Sequence, residues 1–193
     1  MNRRSVKDGM AGCLKTTAAA VVLWALTVLG MVHDGAMAVQ SDPYLAAGVQ
    51  RLTGDVGVPP VFELAALDGP VMDPDALRGK VVVVNFWATW CGPCKEEMPS
   101  LERLQRTFAP SQVQVVAITT DQQEQAMRAF AKSLGLSFPI LLDQSKDVSA
   151  AFGVRGLPTT VIIGPDGRIR GRAVGPRQWD GEASIALLKS FLP

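Results

Sequence analysis

The sequence holds one histidine, His33, and three cysteines, Cys13, Cys91 and Cys94. His33 and Cys13 both fall in an N-terminal stretch that reads as an export leader. A mature chain without histidine has no Cys-His or Ser-His nucleophile pair, so its thiol chemistry depends on helix dipole, burial and carboxylates. Two cysteines are too few for a structural zinc, which takes four ligands, and no metal is expected in one mature chain. Charge of one sign is lacking too, with 19 Lys and Arg against 18 Asp and Glu. No basic patch points to nucleic acid, and no acidic tail points to a disordered arm. Internal repeats and low-complexity tracts are absent.

With 193 residues and 48% hydrophobic content, the chain fits one compact domain plus appendages, with a core large enough to need no staples. Residues 1–15 form a basic n-region, Thr16 to Val32 is apolar and uncharged, and Ala36-Met37-Ala38 has the small-x-small form of a signal-peptidase site. The apolar run is long for a signal core and at the lower limit for a membrane span. Residues 1–38 are therefore read as a signal peptide cleaved after Ala38, with retention as a membrane anchor left open. In both cases the basic n-region places the domain outside the cytoplasm. Cys13 precedes the apolar core, unlike a lipobox cysteine, and Arg3-Arg4 fits an ordinary n-region as well as a twin-arginine signal. Residues 39–57 read as a linker or short helical collar, and 58–193 as the folded domain.

The chain is organised around Val81-Val-Val-Val-Asn-Phe-Trp-Ala-Thr-Trp-Cys91-Gly92-Pro93-Cys94-Lys95. A β-branched run followed by a C-x-x-C pair reads as a buried strand delivering two thiols to the start of a helix. A cysteine at a helix N-terminus faces unpaired N–H groups and the positive end of the dipole, which favours its thiolate. Cys91 is thus the expected nucleophile and Cys94, one turn in, the buried resolving thiol. As a staple the pair would do little: so small a loop is worth on the order of 2 kcal/mol.

Around this centre the residues Val61 to Ala66, an Asp68-Gly69 turn and Val71-Met72 predict a β-hairpin, with a helical turn near Asp73 to Leu77. A helix over Tyr44 to Leu52 is expected in the collar. Strands are expected at Lys80 to Trp87, Val113 to Thr119, Phe138 to Leu142, Thr159 to Ile163 and Arg168 to Val174. Helices are expected at Gly92 to Phe108, bent by Pro99, at Glu124 to Leu134 with Gly135 as its stop, at Ser145 to Phe152 and at Gly181 to Leu192. This alternation predicts an α/β fold with a central mixed sheet flanked by helices.

Trp90-Cys91-Gly92-Pro93-Cys94-Lys95 resembles the thioredoxin active site, and Phe152-Gly-Val-Arg-Gly-Leu-Pro158-Thr159 resembles the segment in which thioredoxins carry a cis-proline. The longer frame, Pro60-Val-Phe-Glu-Leu and Leu77-Arg-Gly-Lys-Val before the active-site strand, is similar to exported thiol:disulfide oxidoreductases of the TlpA/ResA type, over nearly everything from Val58 onward. The resemblance implies a thioredoxin-like fold with an N-terminal β-hairpin extension and an inserted strand-helix element. It also implies no cofactor beyond the redox-active Cys91–Cys94 disulfide. Read alone, Pro158 is a strand-edge proline, since only about 5–6% of X-Pro bonds are cis. The resemblance implies a cis bond, with the Leu157 backbone beside the disulfide where an extended substrate can add as a strand. Trp90, Gly92, Pro93, Leu157 and Pro158 are then the substrate-binding residues, with Trp90 a docking surface. Asn85 stands where thioredoxins carry a buried aspartate, so another carboxylate must manage the proton of Cys94.

Glu97 is the candidate. It shares a helical stripe with Cys94, Met98, Leu101, Leu104 and Phe108, whereas Glu96 falls with Ser100, Arg103 and Thr107 on a polar face. TlpA/ResA-type enzymes carry a glutamate at this spacing, so Glu97 is expected to be partly buried and to exchange a proton with Cys94. The expected activity is exchange of the Cys91–Cys94 disulfide with protein thiols, as a reductase. A membrane thiol-electron carrier is implied as reductant, and apocytochrome c or copper-oxidase assembly factors as substrates. Within the class the rivals are a periplasmic oxidase or isomerase, and a peroxidase that the Gly-Pro-Cys resolving thiol disfavours. From another class comes a copper-binding assembly module, which typically adds a histidine ligand.

Overall fold

The computed structural model describes residues 42–52, 57–72 and 74–193. The expected leader, its Ala36-Met37-Ala38 site, Cys13 and His33 lie outside the described residues, as does part of the expected linker. Asp42 caps a short helix, α1 (Pro43–Ala46), its Oδ1 accepting from the Tyr44 N–H at 3.0 Å. The helix expected up to Leu52 ends here. Gly48 takes φ +62°, a conformation glycine adopts without a Cβ penalty, and the chain turns out into strand β1 (Gln50–Arg51).

The central strand β2 (Val81–Trp87) is buried at every position, as a strand covered on both faces must be. It is followed by α2 (Gly92–Thr107), β3 (Val113–Thr119), α3 (Glu124–Leu134), β4 (Ile140–Leu142), α4 (Asp147–Ala151), β5 (Thr159–Ile163), β6 (Ile169–Val174) and α5 (Glu182–Lys189). The sheet order is β1-β6-β5-β2-β3-β4, with β2, β3 and β4 parallel and β5, β6 and β1 joined antiparallel. Side chains alternate across it. Val83 and Trp87 join Met98, Leu101 and Leu104 of α2 and Leu187 of α5 in one cluster, while Val82, Val84 and Phe86 join Phe62, Leu77 and Phe152 in the other. Each fully buried Val, Leu or Phe of this kind contributes roughly 1.5–3 kcal/mol.

The hairpin before β2 is reduced to one bridged pair, Leu64 with Met72, closed by Leu64 N–H to Met72 O at 3.3 Å and Met72 N–H to Leu64 O at 2.9 Å. Its inner arm continues elsewhere: Ala66 bridges Leu141, and Leu67 N–H donates to Ile140 O at 2.7 Å, covering the free edge of β4. A single 3₁₀ turn, Pro74–Leu77, leads into β2. Pro99 sits inside α2 without ending it, and Gly135 (φ +61°) terminates α3.

Candidate active site

Strand β2 ends at Trp87, and Ala88 to Trp90 carry the chain to Cys91 at the N-cap of α2. Cys91 N–H donates to Ala88 O at 3.1 Å, and Thr89 N–H donates to Asp121 Oδ2 at 2.6 Å, so a carboxylate at the end of β3 fixes the connecting loop. Cys91 and Cys94 are joined as a disulfide with S–S 2.06 Å. The Cys91 sulfur accepts from the Cys94 N–H at 3.2 Å, placing it on the unpaired donors of the helix start. Cys94 is 0% exposed and Cys91 6%, whereas Trp90 beside them is 71% exposed and Gly92 and Pro93 are open to solvent. Any partner approaching the pair therefore meets Cys91 first.

The Leu157–Pro158 peptide is cis. Thr159 lies opposite Phe86 in the β2–β5 ladder, which puts Pro158 beside the end of β2, and the Leu157 side chain packs on the cluster that holds both cysteines. Among the described residues no backbone hydrogen bond engages Leu157. A cavity of about 490 Å³ lined by Gly153, Arg155, Gly156, Thr159, Arg172 and Val174 flanks this loop. The loop's base is held by Arg172, whose guanidinium donates to Phe152 O, and to Gly153 O at 3.0 Å.

Glu97 is buried, 1% exposed, one turn along α2 from Cys94, a spacing at which helix side chains are neighbours. Its Oε1 accepts from Asn85 Nδ2 at 2.7 Å; its Oε2 accepts from the Arg177 N–H at 3.1 Å and Trp179 Nε1 at 3.2 Å. Desolvation raises its pKa above the ordinary glutamate value, against the lowering effect of the Asn85, Trp179 and Arg177 hydrogen bonds and the Arg177 charge. Glu96 is exposed. Ser100 corrects the expectation of a polar face: it is 1% exposed, its hydroxyl within 2.7 Å of Glu97 O and 3.2 Å of Arg177 O and accepting from Trp179 N–H at 3.1 Å.

Asp121, Arg177, Trp179 and Thr160 went unseen in the sequence. Each acts on a residue at least 32 positions away, and the one signal available was general: a buried Trp needs a partner for its indole N–H.

A mixed sheet with a C-x-x-C pair at the N-terminus of the helix after its central strand, and a cis-proline beside that strand's end, defines a thioredoxin-like fold. Residues 53–187 match the Redoxin family, and the chain belongs to it. It is 39% identical over 108 residues to thiol-disulfide oxidoreductase ResA of Halalkalibacterium halodurans, spanning 56% of this chain and 61% of that protein. It is 41% identical over 119 residues to thioredoxin-like protein YneN of Bacillus subtilis, spanning 60% and 69%. Among solved structures, a thioredoxin-family thiol:disulfide interchange protein of Chlorobium tepidum superposes with TM-score 0.62 at 28% identity, covering 71% of this chain and 99% of that one. StoA of Bacillus subtilis gives TM-score 0.56 at 26% identity, covering 69% and 97%.

Proposed function

We propose that the protein is an exported thiol:disulfide oxidoreductase that works as a reductase on protein substrates, in cytochrome c maturation or the assembly of cytochrome oxidase. The observation that carries the thiol chemistry is the Cys91–Cys94 disulfide at the start of α2, with one sulfur at the N-cap and the other sealed beneath it. The Cys91 thiolate attacks a substrate disulfide; one substrate sulfur leaves as a thiolate and the other stays bonded to Cys91. Cys94 then attacks the Cys91 sulfur, releasing the second substrate thiolate and restoring the disulfide. Glu97 accepts the Cys94 proton as that step begins. The substrate chain lies extended against Leu157, whose backbone no described residue engages, with Trp90 and Pro93 as rim contacts.

Export rests on the leader read in residues 1–38. Among the described residues no helix is long and apolar enough to cross a membrane. The reducing direction rests on the Gly92-Pro93 dipeptide, shared with thioredoxins near −270 mV, about 150 mV below the oxidant DsbA. A reductase outside the cytoplasm requires a membrane thiol-electron carrier to recharge it. The cytochrome destination rests on the resemblance to ResA-type proteins.

The test is substrate trapping. Cys94→Ser is expected to accumulate a mixed disulfide on Cys91, and Cys91→Ser to form none, read by mass spectrometry of non-reduced adducts. Adducts on Cys94 in the Cys91→Ser protein would reverse the two roles. Equilibration with glutathione decides direction: a potential near −120 mV would end the reductase reading.

A further inference from the structure

Asn85 is 0% exposed, in the middle of β2 and directly opposite Thr160 of β5. Its Nδ2 spends both protons, one on Glu97 Oε1 at 2.7 Å and one on Thr160 Oγ1 at 3.0 Å. Its Oδ1 is buried without a partner. The other buried side-chain atoms lacking a partner among the described residues, Trp87 Nε1 and Arg177 Nε, are donors, so Asn85 Oδ1 is the one spare acceptor. A buried amide oxygen left unpaired costs on the order of 1–3 kcal/mol, and such an atom calls for an explanation.

Glu97 supplies it. All three groups that touch its carboxyl are donors, which suits a carboxylate and leaves the O–H of the neutral acid with nothing to bond to. Rotating the Asn85 amide by half a turn places Oδ1 where Nδ2 was. Oδ1 then accepts from the Glu97 O–H and from the Thr160 hydroxyl, a group able both to accept and to donate. We propose that Asn85 and Thr160 are positioning residues for proton transfer: the Asn85 amide turns over each time Glu97 gains or loses a proton, with the Thr160 hydroxyl changing from acceptor to donor in step. The proposal rests on the reaction above, where it lets Glu97 hold the Cys94 proton without an unsatisfied O–H. As Cys94–SH gives its proton to the Glu97 carboxylate, the amide turns its oxygen inward. The Cys94 thiolate displaces the substrate sulfur from Cys91, and that proton passes from Glu97 to the departing thiolate as the amide turns back. No oxidant beyond the mixed disulfide is needed.

The groups facing Glu97 limit what else could answer its proton. Cys91 and Cys94 lie on its own helix, Arg177 on the segment between β6 and α5, and neither β2 nor β5 presents a titratable side chain to it. A guanidinium offers donors and no acceptor, so Arg177 cannot take the proton. A fixed asparagine and a turning one predict different things.

Nuclear magnetic resonance of the intact oxidised protein, following the Glu97 carboxyl carbon and the Asn85 side-chain amide across about pH 4 to 9, separates the two. With a turning amide, the contacts between the Asn85 NH₂ protons and Thr160 are strong above the Glu97 midpoint and lost below it. Glu97→Gln, whose own amide N–H must face an acceptor, is expected to hold Asn85 in the low-pH orientation at every pH. Thr160→Val is expected to raise the Glu97 midpoint by roughly one pH unit, the worth of one buried hydrogen bond. The reason is that the carboxylate state is left with an unpaired Asn85 N–H, whereas in the acid state Oδ1 loses the Thr160 hydroxyl but still accepts from the Glu97 O–H, and a donor with no partner costs more than an acceptor with one bond fewer. Thr160→Ser restores the midpoint. With a fixed amide the same N–H is unpaired in both states and Thr160→Val leaves the midpoint unmoved. Unchanged Asn85 contacts on both sides of the Glu97 midpoint would overturn the proposal. Because these readouts need no turnover, they stand apart from the trapping experiment, whose failure would refute the thiol reaction itself.

Discussion

A carboxyl group 1% exposed and met by three donors is under opposed influences, and at Glu97 the loss of water outweighs the hydrogen bonds. The consequence for stability has a definite sign. Unfolded glutamate titrates near about 4.3, and the folded group titrates higher. The contribution of Glu97 is therefore fully present below the unfolded value and is lost as pH rises through the folded one. Glu97→Gln is expected to gain on the wild type in urea midpoint as pH rises across that window, and Glu96→Gln to track the wild type throughout. Parallel curves for wild type and Glu97→Gln would mean that the group pays no burial penalty. The Glu97 variant should also slow resolution of the mixed disulfide, measured by stopped-flow thiol release, while the Glu96 variant should not. The burial of Glu97 was legible from its stripe with Cys94, Met98 and Leu101 on one helix, taken together with the asparagine at position 85 and the resemblance to TlpA/ResA-type enzymes. Ser100 was not: its cover is the Arg177–Trp179 segment, 77 to 79 positions further on, which no local periodicity reports.

Among the elements, the long ones carried their own signal. Strands β2 and β3 are β-branched runs and α3 ends at a glycine, so their spans were readable from composition and spacing alone. Strand β1 was not readable, because two exposed residues hold no pattern and the segment before them repeats with helical spacing until Gly48 diverts it. Its place in the sheet depends on a residue in another strand. A Cβ at Gly171 would stand 2.6 Å from Val49 Cγ1 and 3.1 Å from Gln50 O, so only glycine lets β1 lie against β6. Gly171→Ala is expected to destabilise by about 1–3 kcal/mol through this overpacking. Amide hydrogen exchange should show protection lost first in Gln50 to Leu52, where Leu52 N–H donates to Arg170 O at 3.0 Å. Undiminished protection there would mean that the edge accommodates the methyl group by shifting. The hairpin before β2 teaches the same lesson: its turn was readable, but the pairing of Ala66 with Leu141 belongs to a contact across the sheet.

For the whole molecule, the direction of the reaction is tied to the stability of two redox forms. Reduction, oxidation, folding and unfolding close a thermodynamic cycle. A fold that is more stable with the disulfide intact must therefore hold that disulfide at a lower potential than the unfolded chain does. For this two-electron couple 30 mV corresponds to about 1.4 kcal/mol. A strong oxidant such as DsbA sits at the opposite pole because its reduced form is the stabilised one. Several features of this site weigh against the reduced state. Opening the bond leaves a Cys94 thiol at a 0% exposed position, one helical turn from a buried carboxyl, and the two clusters on either face of the sheet allow little room for either to reach water. The reductase reading therefore predicts that the oxidised protein unfolds at a higher urea concentration than the reduced one at the same pH. Matched denaturation curves with and without dithiothreitol measure it directly. A reduced form that outlasts the oxidised one would place the protein among the oxidants, whatever its Gly-Pro dipeptide suggests.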